Sequence, residues 1–259
     1  MTASEEIHVW RCPCPASDDA ISEFTLTLSD EERTRALRAR THVDRARYIT
    51  SRGVLRRILS GYVDAPPAML RFQIGILGKP RLDRCAFRPT PFSLSRAGDR
   101  MIVAVAPGMK GELGADLVEI HPEDANQPVP CRELLANYFP QFTRPDITDR
   151  ECERVFARLW SQSEAILKAR GSGVSAIMLP LGLCGLGEHL NQWRAISDGL
   201  APGRMIYEMM PIDGYAAAVV APGPLRDVRV RIYNADFERP LKLAPKKPES
   251  AAMEVGVRS

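Results

Sequence analysis

The 259-residue sequence predicts an α+β fold, because segments with helical spacing and segments typical of strands follow one another in blocks rather than in strict alternation. A block of helix followed by strands fills the first part of the chain, and a second block in the same order follows it. We therefore predict an N-terminal half over 1–111, a C-terminal half over 112–239 and a disordered tail over 240–259. Hydrophobic residues at 45% and charged residues at 26% are ordinary for a globular protein, which disfavours collagen, coiled coil and wholesale disorder.

The first half begins with a short strand at 7–10, where side chains alternate in polarity. Ser29 followed by Glu32 is a capping-box pattern, and helical spacing continues from there to about Tyr62, before Pro66 and Pro67. Further strands are predicted at 70–76, 92–95 and 101–106, with turns at 78–80 and 97–99.

The second half begins with a strand at 113–120, which we predict to form a hairpin with 101–106 across the turn at Pro107 and Gly108. Two helices follow at about 131–138 and 147–169, and the run Gly171-Ser172-Gly173 ends the second one. Residues 190–220 are rich in strand-forming patterns.

The charge of the chain is unevenly distributed. Nine arginines and the single acid Asp44 lie between Arg33 and Arg57, which gives this segment +8 in a chain of net charge +3. Such a concentration predicts a polyanionic or phosphate-rich partner, and taken alone it also allows nucleic acid. We expect two or three of these arginines to bind phosphate, with Arg47 and Arg52 as the best candidates, and the others to be solvated or to contact an acidic protein.

Cysteine and histidine usage argues against a zinc site and against disulfides. The six cysteines include no CxxC pair and the four histidines are isolated. No apolar run reaches the length of a membrane span, and the N-terminus, with Glu5 and Glu6, does not resemble a signal peptide. We therefore expect a cytoplasmic protein with reduced thiols.

Two segments could carry chemistry together. Asp116 interrupts an apolar strand, and a buried carboxylate is costly unless it is paired or bound to a metal. Glu164 and Lys168 are spaced i, i+4 with Trp160 one turn earlier, so the three share one helix face. Taken singly, Asp116 at a solvated strand end and a solvated Glu–Lys pair remain alternatives. Taken together, two carboxylates and a lysine predict a Mg²⁺-dependent site for a phosphate-rich substrate.

The chain resembles the 4′-phosphopantetheinyl transferase superfamily, Sfp-type, over about residues 30–220. The resemblance rests on the order and spacing of several short segments: Ser51-Arg52-Gly53-Val54-Leu55-Arg56-Arg57, Gly78-Lys79-Pro80, Phe92-Ser93-Leu94-Ser95, Gly114-Ala115-Asp116, Trp160–Lys168, Ala169-Arg170-Gly171-Ser172-Gly173 and Gly214-Tyr215-Ala216-Ala217.

The resemblance implies two similar α+β halves related by a pseudo-two-fold axis, with the active site between them. It implies CoA as donor, a serine of an apo acyl or peptidyl carrier protein as acceptor, and Mg²⁺ (or Mn²⁺) as the metal. Asp116 and Glu164 would bind the metal, Glu164 is the candidate base, and Lys168 would contact phosphate. Further CoA contacts are implied or expected at Arg47, Arg52, Lys79, Pro80, Ser95 and Arg96.

Three positions depart from the family pattern. Arg96 stands where a histidine is usual, Val118 where a second strand carboxylate is usual, and Ser163 where a lysine is usual. The strand around Asp116 also resembles the holo-acyl-carrier-protein-synthase type, which uses one aspartate there. An alternative is therefore a catalytically impaired homologue that binds CoA or a carrier protein.

The expected carrier is acidic and should dock on basic and exposed apolar side chains. Tyr138, Phe139 and Phe142 lie in the segment where the family docks its carrier, although core packing explains each of them equally well. We expect a monomer without a nucleic-acid or membrane partner.

Overall fold

The computed structural model describes residues 6–75, 78–83, 89–120, 130–171, 190–196, 203–212, 214–223 and 228–235. These residues confirm a mixed α+β fold. They divide into two compact units: the N-terminal unit contains the described residues of 6–110 together with 228–235, and the second unit contains those of 111–223.

The N-terminal unit combines three helices with a four-stranded and a two-stranded sheet. Its elements are β1 (Glu6–Pro13), α1 (Asp18–Thr27), α2 (Asp30–Leu37), α3 (His42–Val63), β2 (Phe72–Ile74), β3 (Pro80–Leu82), β4 (Phe92–Ala97), β5 (Arg100–Val105) and, late in the chain, β10 (Arg229–Asn234). The larger sheet has the order β10-β1-β5-β4, and β1 pairs in parallel with β10 and antiparallel with β5. This pairing puts β10 in the N-terminal unit, whereas the predicted boundaries include 229–234 in the C-terminal half.

Helix starts in this unit follow side-chain caps. The Ser29–Glu32 capping box at the start of α2 is confirmed, with both reciprocal hydrogen bonds present. The single long helix predicted from there to Tyr62 is wrong, because the chain leaves the helix at Arg38 and restarts with Thr41, whose side chain accepts from the Asp44 amide. Sequence reasoning missed α1, which Ser17 caps.

Close packing of α1 on α3 depends on Gly53. A Cβ at this position would lie 2.3 Å from the Cβ of Phe24, which is itself buried. Glycine therefore lets the two helices approach around the Phe24 side chain, in a core that also contains Leu55, Leu59 and Val103.

The second unit has an antiparallel sheet with helices. Its elements are β6 (Gly114–Glu119), α4 (Cys131–Tyr138), α5 (Asp149–Arg170), β7 (Trp193–Ala195), β8 (Arg204–Ile212) and β9 (Tyr215–Pro222). The strand order is β6-β9-β8-β7, and α5 packs against β6 and β9. The predicted helices at 131–138 and 147–169 are confirmed, and Gly171 ends α5 in the left-handed conformation.

The predicted hairpin between 101–106 and 113–120 is wrong. β5 pairs with β1 and β4, whereas β6 pairs with β9, about a hundred residues later in the chain. An apolar strand pattern indicates that a strand is buried but not which strand it pairs with. Here β5 and β6 belong to different units. Within the described residues, no helix is long and apolar enough to cross a membrane.

Candidate active site

Asp116 is the centre of the candidate site in the second unit. It lies in the middle of β6, is only 5% exposed, and accepts a hydrogen bond from the Lys168 Nζ at 2.6 Å. Lys168 keeps 28% of its side chain exposed, so the ion pair reaches the surface at its lysine end. The alternative of a solvated strand-end aspartate is therefore wrong, and Asp116 is a buried, paired carboxylate.

Gly114 explains why α5 lies so close to Asp116. A Cβ at position 114 would lie 1.9 Å from the Ala165 carbonyl oxygen and 2.5 Å from the Ala169 amide nitrogen. The backbone of β6 therefore touches the backbone of α5, and the helical turn from Glu164 to Lys168 is brought against the strand two residues from Asp116. Sequence reasoning used Gly114 only as part of a motif and missed this contact.

Glu164 completes a group of two acids and one base. Burial, and next the negative charge of Asp116, raise the pKa of the Glu164 carboxyl, while Lys168 opposes this shift. The two carboxylates are therefore close enough to repel each other. Oxygen donors of like charge at one place suit a hard divalent cation.

Among the described residues, Asp116 and Glu164 are the carboxylate donors of this site. Over the residues that the structure describes, no group of three or more His, Cys, Asp and Glu side chains could hold a metal ion. Val118, on the same face of the strand as Asp116, brings no oxygen. Glu119 alternates to the other face, where its Oε1 accepts from the Tyr215 hydroxyl at 3.4 Å.

Two other residues of the Trp160–Lys168 segment have packing roles. Ser163 is fully buried and its hydroxyl donates to the Leu159 carbonyl at 2.8 Å, so this departure from the family pattern faces the protein interior. Trp160 packs edge-on against Tyr138 and is tilted against Phe156.

In the N-terminal unit, Arg47 and Arg96 approach the buried thiol of Cys14. Burial raises the pKa of Cys14, and the guanidinium groups of Arg96 and, more weakly, Arg47 oppose this shift. The Nε of Arg47 is buried without a hydrogen-bond partner in the described part of the chain. Two of the predicted phosphate-binding arginines, on α3 and β4, are thus brought to one place, and one has an unused donor.

The remaining predicted CoA-binding residues of this unit are more dispersed. Arg52 lies over the ring of Tyr48, with 5.6 Å from its Cζ to the ring centroid. Ser95 is 7% exposed in β4, and Lys79 and Pro80 are half-buried at the start of β3.

The other arginines of the +8 segment have different environments. Five are exposed on and around α2 and the start of α3: Arg33, Arg35, Arg38, Arg40 and Arg45. Arg56 is 2% exposed, and it donates to Glu32 Oε2 at 2.7 Å and to the carbonyls of Pro67 and Leu70. Its partners are all protein groups, so it stabilises the fold.

The three aromatic residues of the predicted carrier-docking segment separate into two kinds. Phe139 is 3% exposed and belongs to the core, with Phe142 packed against it, while Tyr138 is 40% exposed. Tyr138 is therefore the most exposed of the three, with Phe142 half-buried.

Sequence reasoning missed one buried acid in this unit. Glu208, in β8, is 1% exposed and contacts Arg158, Gln162 and Arg194. An acid inside an apolar stretch was the signal that singled out Asp116, and Glu208 shows the same signal between Tyr207 and Met209.

Comparison with known proteins supports the resemblance. No protein-family model matches the chain. The 4′-phosphopantetheinyl transferase HetI of Nostoc sp. is 29% identical over 221 residues, which are 85% of this chain and 89% of HetI. The 4′-phosphopantetheinyl transferase psf-1 of Bacillus pumilus is 30% identical over 60% of this chain and 63% of its own length. The 4′-phosphopantetheinyl transferase AcpT of Salmonella typhi is 28% identical over 70% of this chain and 79% of its own length.

Proposed function

Because the chain belongs to the 4′-phosphopantetheinyl transferase superfamily, we propose that it transfers the 4′-phosphopantetheine group of CoA to a serine of an apo acyl or peptidyl carrier protein. The single observation that carries the proposal is the grouping of the buried Asp116 with the half-buried Glu164 and Lys168. Two carboxylates and an ammonium, on a rigid strand and helix, are what phosphoryl transfer needs for positioning and charge neutralisation.

The metal is part of the proposal. Asp116 and Glu164 would hold Mg²⁺ (or Mn²⁺), and their hard oxygen donors and mutual repulsion fit such an ion. When bound, the ion would neutralise charge on the CoA pyrophosphate. Proteins commonly hold Mg²⁺ by one or two carboxylates together with water and substrate phosphates, so Asp116 and Glu164 would suffice on the protein side.

The side chains of the site have separate tasks in this reaction. Lys168, with its exposed end, donates hydrogen bonds to the phosphate while it remains beside Asp116. Glu164 accepts the proton of the carrier serine as the serine oxygen forms its bond to the β-phosphorus. The bond from that phosphorus to the bridging oxygen breaks, and adenosine 3′,5′-bisphosphate leaves with the bonding pair.

Arginines of the N-terminal unit would bind the phosphates of CoA. The buried and unused Nε of Arg47 supports a role for this residue, since a buried donor without a partner is costly unless a ligand satisfies it. Arg96 lies close by, and its planar guanidinium can bind a phosphate through two donors. The roles of Arg52, Lys79, Pro80 and Ser95 rest on the family resemblance, as does the pseudo-two-fold relation of two halves with the active site between them.

Mass spectrometry of an apo carrier protein incubated with the enzyme, CoA and Mg²⁺ tests the proposal. The carrier should gain the mass of one phosphopantetheine group, and Asp116→Ala and Glu164→Ala should each abolish this gain. A folded wild-type enzyme that modifies no carrier of the fatty-acid, polyketide or peptide type would overturn the proposal. Tight CoA binding by calorimetry in that case would identify the impaired, CoA-binding homologue instead.

The remaining expectations about the surroundings of the enzyme stay predictions. They are a monomeric enzyme, a cytoplasmic location, an acidic carrier that docks near Tyr138, and no nucleic-acid or membrane partner. Substitution of Tyr138 by Ala should raise the KM for the carrier and leave the KM for CoA unchanged.

A further inference from the structure

We propose that Glu208 is a positioning residue for the active site: together with Asp116 it fixes α5 on the sheet so that Glu164 and Lys168 face Asp116. All residues of this arrangement belong to the second unit. Its effect on catalysis rests on the proposed function. Glu208 itself does not touch the proposed reacting groups, and it acts through Arg158 and Gln162 of α5.

The sheet register places the two acids in one row. Asp116 of β6 pairs with Ala218 of β9, and Ala218 pairs with Glu208 of β8. Directly paired residues on neighbouring strands point to the same face of a sheet. Asp116 and Glu208 therefore project from the same face, and α5 contacts both of them. The small side chain of Ala218 between them leaves room for the helix.

Glu208 is held by several donors in the protein interior. Arg158 donates from Nε to Oε1, while Gln162 Nε2 and Arg194 Nη2 donate to Oε2 at 3.2 Å each. A carboxylate that is 1% exposed is costly unless such partners satisfy it. Two of these donors, at i and i+4 on α5, tie the helix to β8.

The side chains of α5 that contact Glu208 and the side chain that contacts Asp116 point in different directions from the helix axis. Arg158 and Gln162 precede Glu164 and Lys168 by six residues, which is about 9 Å along the helix axis and about 120° around it. Two strand spacings separate Asp116 from Glu208, also about 9.5 Å. Both contacts can thus form together, and because they point differently they fix the rotation of α5 as well as its position.

The close contact of Gly114 with α5 sets the distance of the helix from β6, and the polar contacts of Glu208 add directional constraints. The interface between α5 and the sheet is built from small and aliphatic side chains such as Ala165, Ala169 and Val220, which favour burial without a unique register. Gln162 is fully buried, and its Oε1 has no hydrogen-bond partner in the described part of the chain. A buried amide whose oxygen has no hydrogen-bond partner stabilises the fold less than an apolar side chain of the same size would. Its presence at this position agrees with a role in specifying the orientation of α5.

The test uses the full-length enzyme and the substitution Arg158→Gln. Glu208 keeps Arg194 as a charged partner in this variant, so no carboxylate is left alone. The matched control is Arg154→Gln, the same change at an exposed position of the same helix. We expect kcat to fall by about tenfold to a hundredfold in Arg158→Gln while the KM for CoA changes by less than about threefold, because small displacements of catalytic groups cost this much. In the control, kcat should stay within about twofold, as for surface changes in general.

A spectroscopic readout separates this inference from the proposed function. The ¹⁵N resonance of the Lys168 side-chain ammonium, assigned with Lys168→Arg, reports its pairing with Asp116 without any substrate. It should shift in Arg158→Gln and stay in place in Arg154→Gln. Arg158→Lys, which restores a charged donor, should recover part of the kcat and move the resonance back toward its wild-type position.

Gln162→Met is the second test variant, for the case that Arg158→Gln does not fold. It removes one hydrogen-bond donor of Glu208 and leaves both arginine partners of this carboxylate in place. It should lower kcat by about threefold, in line with the loss of one positioning hydrogen bond. A folded variant of either kind with wild-type kcat and an unmoved Lys168 resonance overturns the inference. If the wild-type enzyme transfers nothing, the proposed function fails, and the resonance alone still decides whether Glu208 positions α5.

Discussion

The helices α3 and α5 are both 22 residues long and each carries five Arg or Lys side chains, yet their charges go to different places: α3 brings Arg47 to the proposed CoA phosphates, whereas α5 brings Lys168 to the buried Asp116. In α3, one acid accompanies the five arginines, and the buried Arg56 donates its hydrogen bonds to Glu32 and to two carbonyl groups. In α5, four acids balance the five bases, and the helix lies over two buried acids of the sheet.

The difference shows that a high density of charged residues in a segment does not by itself indicate where an ion or a phosphate binds. A dense run of arginines mostly produces a solvated surface, because residues along a helix point in all directions. A single acid buried opposite another acid is less visible in the sequence, but it is where an ion or a phosphate changes the free energy most. We therefore expect a change at Arg56 of α3 to act on stability and changes around α5 to act on transfer.

The largest expected effect is that of Glu164→Gln. Transfer should fall by about a thousandfold, as for loss of a general base. The free energy of unfolding at neutral pH should be equal to or higher than that of the wild type, because the fold disfavours the charged Glu164 carboxylate.

The sign of the pH dependence follows from the raised pKa of Glu164. As pH rises from the ordinary glutamate pKa through the raised folded value, the wild type must ionise a carboxyl that the fold prefers neutral, and it loses stability that Glu164→Gln retains. Urea unfolding on both sides of this window measures the difference. Glu153→Gln, on the same helix, should affect neither quantity, and a Glu164→Gln variant that is less stable at neutral pH would contradict the proposed electrostatics.

Arg56→Met should show the opposite behaviour. It removes the donors of Glu32 and of the Pro67 and Leu70 carbonyls, which should lower the free energy of unfolding by about 3 kcal/mol. Transfer per folded molecule should stay within about twofold of wild type, as for residues outside the site. Chemical denaturation and the carrier assay measure the two quantities, and Arg45→Met, at an exposed position of α3, is the matched control.

Two glycines allow the same comparison with the same substitution. Gly53→Ala places a Cβ against the Phe24 side chain, whereas Gly114→Ala places one against the backbone of α5 at Ala165 and Ala169. Each should lower the free energy of unfolding by about 2 kcal/mol through overpacking. Only Gly114→Ala should also lower kcat, because it pushes Glu164 and Lys168 away from Asp116. Equal kcat values in the two variants would contradict the expectation that the packing of α5, unlike the packing of α3 around Gly53, affects transfer.

Local signals carried most of what the sequence predicted correctly. The Ser29–Glu32 box, the two helices of the second unit and the Gly171 stop depend on neighbouring residues, and all are confirmed. The closeness of Asp116 to Lys168 depends on contacts 52 residues apart, and it was expected from the resemblance to a family.

Tertiary choices account for what the sequence did not predict. β5 and β6 are both apolar, so their patterns alone could not show that they pair with different strands. The parallel pairing of β10 with β1 joins residues more than two hundred positions apart. Arg56 looks like its neighbours in sequence, and only the folded positions of Glu32, Pro67 and Leu70 make it a buried residue. Glu208 could have been found, since the rule used for Asp116 applies to it equally.

The smallest expected effect concerns the two capping boxes, one in each region. The Ser29 hydroxyl accepts from the amide of Glu32, whose Oε2 in turn accepts from Arg56 Nε, while the Thr148–Glu151 box at the start of α5 has no such link among the contacts described. Ser29→Ala combined with Arg56→Met should therefore be non-additive, with a coupling of about 0.5–1 kcal/mol in the free energy of unfolding. Thr148→Ala combined with Arg56→Met should be additive within about 0.3 kcal/mol, because the two sites share no partner. Equal coupling in both cycles would show that Glu32 does not link the cap of α2 to the buried arginine of α3, and that the stabilising role assigned to Arg56 acts through the two carbonyl groups alone.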